Sequence, residues 1–328
     1  MKEIKIGNNA AGKRLDSFLK GYLPGASGGF IYKMLRKKNI TLNGKKADGT
    51  EKLRENDLIK IFFSDETFAK FKGNTDVIKN SKNDDKDIDL SKYGNVKVVY
   101  EDDNILLASK PVGLLSQKST PKDISLNDWL IDYLLSTGSD AAKDLDIYKP
   151  SICNRLDRNT GGIVICAKSL PGAREMNRLL KSRNLDKYYK TIVSGNLSEN
   201  IYLKGFLYKD EKKNKVFIKK EDPHDDRYSY IETEIVPVKY NKDADLTMLE
   251  VKLITGKPHQ IRAHLSSIGH PLIGDVKYGG KTYKNIKHQL LFCYRVCFPD
   301  DMPNGFENIK GREFKTDLPD AYDSFFDQ

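Results

Sequence analysis

Residues 154–168 constrain this chain more than any other stretch: Asn154-Arg155-Leu156-Asp157-Arg158-Asn159-Thr160-Gly161-Gly162-Ile163-Val164-Ile165-Cys166-Ala167-Lys168. The run 163–166 is apolar and three of its four residues are β-branched, the pattern of a buried strand. Arg155 and Asp157 sit just ahead of it on a polar, glycine-containing turn. A guanidinium and a carboxylate are thereby anchored to the rim of a sheet, where side chains are held to a defined geometry. Read by itself, Asp157 is as simply explained as a turn residue capping a backbone N–H.

The pattern around this segment predicts an α+β protein. Residues 96–111 read as strand, turn, strand, and 126–135 as an amphipathic helix carrying Trp129, the only tryptophan. A helix follows Pro171 to about 183, and 188–193 and 246–254 read as strands. Strands and helices do not alternate as βαβ units, so a mixed sheet with a few helices is expected.

The first 62 residues form a different unit. Leu15, Phe18, Leu19 and Tyr22 share a helical face; 30–38 is a second amphipathic helix; 40–46 is a strand running into an Asn43-Gly44 hairpin turn; and 57–62 is a closing strand. This unit holds 14 Lys and Arg against 6 Asp and Glu, which is +8 of the chain's +10. Such asymmetry points to a polyanionic partner. Residues 64–94 are rich in Lys, Asn, Asp and Ser. The expected organisation is therefore a domain over 1–62, a flexible linker over 63–94 that lets the basic unit search while tethered, and a second domain over 95–325.

Several functions are set aside. Residues 7–13 match the start of a P-loop, but Arg14 stands where the magnesium-holding Ser or Thr belongs. His259 and His264 are five apart with no acidic ligand between them, the wrong spacing for a helical metal pair. No run of eighteen apolar residues is present, so no membrane span is expected, and the N-terminus lacks the apolar core of a signal peptide. The four cysteines read as small buried hydrophobes in a reducing cytoplasm.

The second informative segment is Thr255-Gly256-Lys257-Pro258-His259-Gln260-Ile261-Arg262-Ala263-His264-Leu265. A strand ends at 254 and a short helix begins near His259, which places His259 and Arg262 on one face. His259 reads as a hydrogen-bonded structural histidine and Arg262 as a surface cation.

Together these segments resemble the RluA-type pseudouridine synthases. The resemblance rests on Arg155-Leu156-Asp157 with Thr160, Gly162 and Ala167-Lys168; on Lys187-Tyr188-Tyr189 before Val193-Ser194-Gly195; on 255–265; and on Gly274-Asp275-Val276-Lys277-Tyr278-Gly279. Tyr100 to Asp103 and Lys110-Pro111 also fit, and the likeness runs from about 96 to 320. Four departures stand out: Asn154 where His is frequent, Gly161 for Ser or Thr, Lys257 for Arg, and Phe292-Cys293 for a usual His-Ala. Residues 12–62 resemble the Alpha-L RNA-binding motif of a small-subunit ribosomal protein, through Arg14-Leu15-Asp16, Lys33 to Lys38 and Ile40 to Lys45.

The resemblance implies a mixed, mostly antiparallel central sheet with flanking helices and a central RNA-binding cleft. It implies an isomerase that converts uridine to pseudouridine, without cofactor or metal, in large-subunit ribosomal RNA or alternatively transfer RNA. A non-catalytic structured-RNA-binding protein or chaperone of ribosome assembly is the other class to weigh. Asp157 would act on the sugar as nucleophile or base, with Arg262 paired to it. Tyr189 would stack on the uracil and is a candidate to assist proton removal. Arg155 would fill the space left by a flipped base. Lys33, Arg36, Lys37, Lys38, Lys45 and Lys46 would contact phosphates. A cytoplasmic monomer is expected.

Overall fold

The computed structural model describes residues 1–72, 88–143, 145, 147–283 and 286–326. In its smaller sheet, β1 (Lys2–Lys5), β4 (Leu58–Ile61), β2 (Ile40–Leu42) and β3 (Lys45–Lys46) lie side by side in that order, all antiparallel. Asn43 and Gly44 both take positive φ, at 51° and 73°, and make the two-residue turn that Asn-Gly favours. Helices α1 (Leu15–Tyr22) and α2 (Gly28–Arg36) cover the sheet, and Leu15, Leu19, Ile31, Leu35, Ile40 and Ile59 form a core of their own. Helix α2 starts two residues earlier than its apolar pattern, because Ser27 Oγ accepts the Phe30 N–H and caps it.

Within the segment expected as linker, Asp65–Lys72 form helix α3, whose Phe68 and Phe71 pack on this core. The Phe71 and Phe30 rings are 4.4 Å apart. Residues 73–87 of that expected linker lie outside the described residues. The P-loop-like run 7–13 is a docking turn. Asn9 Oδ1 accepts the Leu170 N–H at 3.2 Å, Arg174 donates to the Ala11 carbonyl at 3.3 Å, and Lys13 Nζ donates to the Ile147 carbonyl at 2.7 Å. These contacts hold the basic unit against the larger one, where free tethering was expected.

The larger sheet runs β11 (Lys215–Lys219), β10 (Ile201–Asp210), β12 (Tyr228–Asn241), β13 (Leu246–Leu253), β9 (Asp186–Ser194), β14 (Leu291–Cys297), β8 (Gly161–Ala167), β6 (Ile105–Lys110), β5 (Lys97–Glu101). Strand β7 (Ser151–Ile152) pairs with β8, and β15 (Glu313–Lys315) with β14. Among the described residues every pairing between these strands is antiparallel except β14 with β8. Helices α4 (Leu126–Ser136), α5 (Asp140–Lys143), α6 (Leu170–Ser182) and α7 (Gln260–Ser267) complete the unit. A Ser125–Asp128 capping box starts α4, and Ser169 caps α6 ahead of Pro171. The whole of β8 is buried, as its β-branched run predicts.

The parallel joint is the tightest place in the sheet. Gly162 has φ of +106°, and a Cβ there would lie 2.1 Å from the Cys293 carbonyl oxygen. Only glycine lets β14 close on β8 at this point. Gly162→Ala should destabilise the fold by at least about 3 kcal/mol, combining backbone strain with a steric clash. Gly113, with φ of +94° but nothing within 4 Å of its Cβ position, is the control. Gly113→Ala should cost about 1–2 kcal/mol of strain alone. Urea unfolding of the two variants measures the difference; equal costs would show that the joint tolerates a methyl group.

Candidate active site

The turn that carries Asp157 joins β7 to β8 and is fastened from behind by the chain that leaves β6. The Ser116 hydroxyl accepts the Leu156 N–H at 3.0 Å and donates to the Leu156 carbonyl at 2.8 Å. The Gly113 N–H donates to the Arg158 carbonyl at 2.9 Å. Lys110, wholly buried at the end of β6, donates from Nζ to the carbonyls of Leu114 (2.8 Å), Pro111 (3.1 Å) and Arg158 (3.1 Å). Burial pulls its pKa down to about 7. The carbonyl cage opposes that shift, because only the charged form has three N–H donors to fill it. The main chain on both sides of Asp157 is thus fixed, and its side chain is left to the cavity.

Arg262 reaches that side chain from α7. Its NH1 donates to Asp157 Oδ2 at 2.9 Å. Its Nε and NH2 form a two-pronged pair with Asp275, at 2.7 and 2.8 Å. Asp275 is almost wholly buried and Arg262 is 6% exposed. Burial works against the guanidinium charge, but the two carboxylates outweigh it and raise its pKa above the ordinary value. Helix α7 is itself pinned by Gln260, which accepts from Thr255 Oγ1 and the Lys257 N–H and donates to the Glu232 carbonyl and Thr233 Oγ1. His259, just before the helix, lies with Nδ1 2.9 Å from the Tyr278 hydroxyl and Nε2 3.8 Å from Asp157 Oδ2.

Asp157, Arg262, Tyr189, Arg155 and His259 all line one open cavity of about 1050 Å³. Tyr189 comes from β9, beside Cys293 and Val251 in register, and is buried. Burial holds its hydroxyl well above the ordinary pKa, with Cys293 and Asp157 adding to the effect, so the ring presents a neutral phenol. Arg155 is exposed at the rim. Lys33, Arg36, Lys37, Lys38, Lys45 and Lys46 are not among the residues that line this cavity and lie exposed on α2, the turn after it and β3. Among the described residues no group of three His, Cys, Asp or Glu is placed to hold a metal ion. No helix there is long and apolar enough to cross a membrane.

The RNA pseudouridylate synthase family model matches residues 104–267, half of the chain and the stretch that carries Asp157, Tyr189 and Arg262. An uncharacterised RNA pseudouridine synthase of Mycoplasma genitalium is 30% identical over 292 residues, covering 88% of this chain and 86% of that one. The chain belongs to the RNA pseudouridylate synthase family. It is an enzyme, an isomerase acting on RNA. The ribosomal large subunit pseudouridine synthase C of Rickettsia conorii is 28% identical over 310 residues, 94% of each chain. Human RNA pseudouridylate synthase domain containing 4 shares the fold, with a TM-score of 0.53 at 18% identity over 69% of this chain and 89% of that one.

Two of the four departures from the family pattern meet in the structure. Phe292 lies opposite Gly161 in the parallel pair, and a Cβ on Gly161 would come within 2.7 Å of its ring. In this chain the Phe292 ring occupies the space that a side chain at 161 would need. Asn154 is structural, its Oδ1 accepting the Ile165 N–H at 2.8 Å. Lys257 lines the cavity and is exposed.

The residues that sequence reading left without a role are Asp275, Tyr278 and Lys110. Asp275 and Tyr278 lie in the Gly274–Gly279 run, and a charge inside such an apolar neighbourhood was the available signal. Lys110 gave the same signal at the end of an otherwise apolar strand. Arg262, read as a surface cation from spacing alone, is buried, and the resemblance rather than the spacing gave its partner.

His264 yields a pH prediction. Its Nδ1 is 2.8 Å from Thr233 Oγ1, its Nε2 is buried without a hydrogen-bond partner, and burial lowers its pKa from 6.5 to about 4. Between those values the unfolded chain takes up the proton and the folded state does not. This contribution to stability is therefore complete above pH 6.5 and is lost as pH falls toward 4. His264→Gln should flatten the acid side of the stability profile by about 2–3 kcal/mol across that window. Denaturant unfolding at intervals of pH reads it; parallel profiles would show that His264 is protonated in the folded state.

Proposed function

We propose that this synthase isomerises uridines of large-subunit ribosomal RNA, with Asp157 as the carboxylate that acts on the sugar. The observation that carries the reading is the environment of the Asp157 side chain. A turn-capping Asp accepts backbone N–H groups, yet among the described residues this carboxylate accepts none. One oxygen is clamped by a buried guanidinium, and the other opens on the cavity.

The reaction breaks the N1–C1′ bond, turns the uracil and joins C5 to C1′. Atoms and charge balance within one nucleotide. A carboxylate that adds to the sugar or takes a proton from it holds the site while the base is detached. Arg262 keeps that carboxylate oriented. Tyr189 offers a neutral aromatic face on which the uracil stacks, and its raised pKa makes a phenolate base a poor assignment. The target nucleotide leaves its stack to reach the cavity, and Arg155 at the rim fills the gap. Further cations line the same cavity, among them Lys181, Arg183, Lys209 and Lys277, so an acidic floor is ringed by groups that suit phosphates.

Residues 1–62 serve as an Alpha-L RNA-binding unit. Six of its cations, Lys33, Arg36, Lys37, Lys38, Lys45 and Lys46, are exposed and have no acidic partner among the described residues. Residues 95–325 are the catalytic domain. One chain supplies every member of the site, which supports action as a monomer, and an RNA substrate supports a cytoplasmic location. The names of relatives such as the Rickettsia conorii synthase support ribosomal RNA as substrate.

Two measurements test this. Asp157→Asn keeps the shape and hydrogen-bonding capacity of the side chain but not its charge. It should fold, bind RNA and lose at least about three orders of magnitude in pseudouridine formation, roughly 4 kcal/mol of transition-state stabilisation. Turnover near the wild-type rate would sink the assignment. Replacing Lys37 and Lys38 together by Ala should leave turnover on saturating RNA intact. It should also lower the slope of log affinity against log salt by about 0.7–0.9 per lost phosphate contact. An unchanged slope would remove these lysines from the RNA interface.

A further inference from the structure

His259 stands beside the reacting carboxylate in a backbone conformation that few residues adopt. Its φ is +53°, in the left-handed region that costs most side chains about 1–2 kcal/mol. That backbone turns the ring so that Nδ1 meets the Tyr278 hydroxyl at 2.9 Å and Nε2 faces Asp157 Oδ2 at 3.8 Å.

Donor counting locates the proton on this ring. The Tyr278 oxygen accepts the Val216 N–H at 2.9 Å. Burial keeps the Tyr278 phenol above its ordinary pKa, so it retains its hydrogen. Among the described residues His259 Nδ1 is the only acceptor within reach of that O–H. Nδ1 is therefore the bare nitrogen, and a neutral imidazole carries its hydrogen on Nε2. The groups around the ring favour the neutral form. Burial, the largest influence, lowers the His259 pKa; Asp157 and Asp275 act against it, and Arg262 and Lys277 with it.

The Nε2–H thus faces a carboxylate oxygen across a gap too long for a direct hydrogen bond. The gap suits one oxygen that accepts from Nε2 and donates to Oδ2, which a hydroxyl does and a carbonyl does not. Both groups open on the cavity. The reaction requires the Asp157 carboxylate to reach C1′ of the target sugar or the adjoining C2′. The hydroxyl that necessarily arrives with those atoms is the 2′-hydroxyl. Arg262 holds Oδ2, and among the described residues Oδ1 has no hydrogen-bond partner, so Oδ1 is the oxygen turned to the sugar carbon.

We propose that His259 Nε2–H and Asp157 Oδ2 together bind the 2′-hydroxyl of the target nucleotide, and that Tyr278 is the positioning residue that fixes the imidazole tautomer. This rests on Asp157 as the reacting carboxylate. The site makes the chemical step selective for ribose at the target position, whatever the flanking RNA contributes to affinity.

The test uses two RNA oligonucleotides that differ only in a 2′-hydroxyl or a 2′-hydrogen at the target uridine, with pseudouridine formation followed in single turnover. The wild-type enzyme should prefer the ribose substrate by about 10–100-fold, the worth of a hydrogen-bonded hydroxyl with one charged partner. His259→Asn tolerates the positive φ but is too short to span the gap. It should bring the preference to within about threefold, by losing rate on the ribose substrate and little on the other. Tyr278→Phe keeps the ring and removes only the hydroxyl. It should give an intermediate preference and move the ¹⁵N signals of His259 from a single Nε2–H tautomer to a mixture. A wild-type enzyme indifferent to the 2′-hydroxyl, or a His259→Asn enzyme that loses the same factor on both substrates, overturns the proposal while leaving Asp157 in place. An Asp157→Asn enzyme that still converts the ribose substrate overturns the assignment of Asp157, and the hydroxyl site with it.

Discussion

A buried guanidinium has to be neutralised where it stands, and much of this structure can be traced to how Arg262 meets that demand. Removing a charge of this kind from water costs several kcal/mol even after relaxation. Asp275 repays it with two parallel hydrogen bonds, and both groups are nearly inaccessible. A third N–H, on NH1, is aimed at Asp157. The pair fixes α7 against residues 274–279, and this third donor fixes Asp157 against both. Asp157 itself is not buried; its side chain is 29% exposed. The desolvation falls on the clamp, and the carboxylate it holds stays open to a substrate.

The same economy governs the backbone beneath. Strands β8 and β14 lie close enough at Gly162 to exclude a methyl group, and β14 in turn sets Cys293 beside Tyr189 on β9. The Asp157 turn enters β8 one residue before this joint. Its geometry is therefore inherited from a sheet that is paired on both sides, and Lys110 and Ser116 tie down the carbonyls and amides of the turn. The Gly161 and Phe292 exchange shows how local such a change remains. The ring of Phe292 fills the space over Gly161, and neither residue is among those that line the cavity.

What could be read from the sequence divides along physical lines. Strand β8, the Asn43-Gly44 turn, α4 and the onset of α7 were legible because short-range rules decide them: β-branching, positive φ at Asn-Gly, capping and apolar periodicity. Helix α3 was missed, since two phenylalanines in a Lys- and Asp-rich stretch make too narrow an apolar face to register. The docking role of residues 7–13 was missed because its partners, Ile147, Leu170 and Arg174, are more than a hundred residues away. The pair proposed for catalysis shows the same limit. Asp157 and Arg262 were each visible as types, but spacing put Arg262 on the surface, and only the family resemblance joined the two. The roles of Asp275 and Lys110 depend wholly on which carbonyls and charges the fold brings to them.

This distribution bears on why the Asp157 carboxylate is left without a structural task. A structural Asp has its oxygens satisfied by the chain around it, and here the neighbouring amides and carbonyls are satisfied by Ser116, Gly113 and Lys110 instead. With the turn held by other means, the Asp157 side chain has no capping work left. Arg262 then supplies orientation without burying it, and the same cavity is lined by Tyr189, a ring whose hydroxyl stays neutral. Rigidity thus comes from groups other than the Asp157 carboxylate itself. Toward the cavity the site offers an Asp157 oxygen with no hydrogen-bond partner among the described residues and the ring of Tyr189, the combination that the proposed handling of a detached base and its sugar uses.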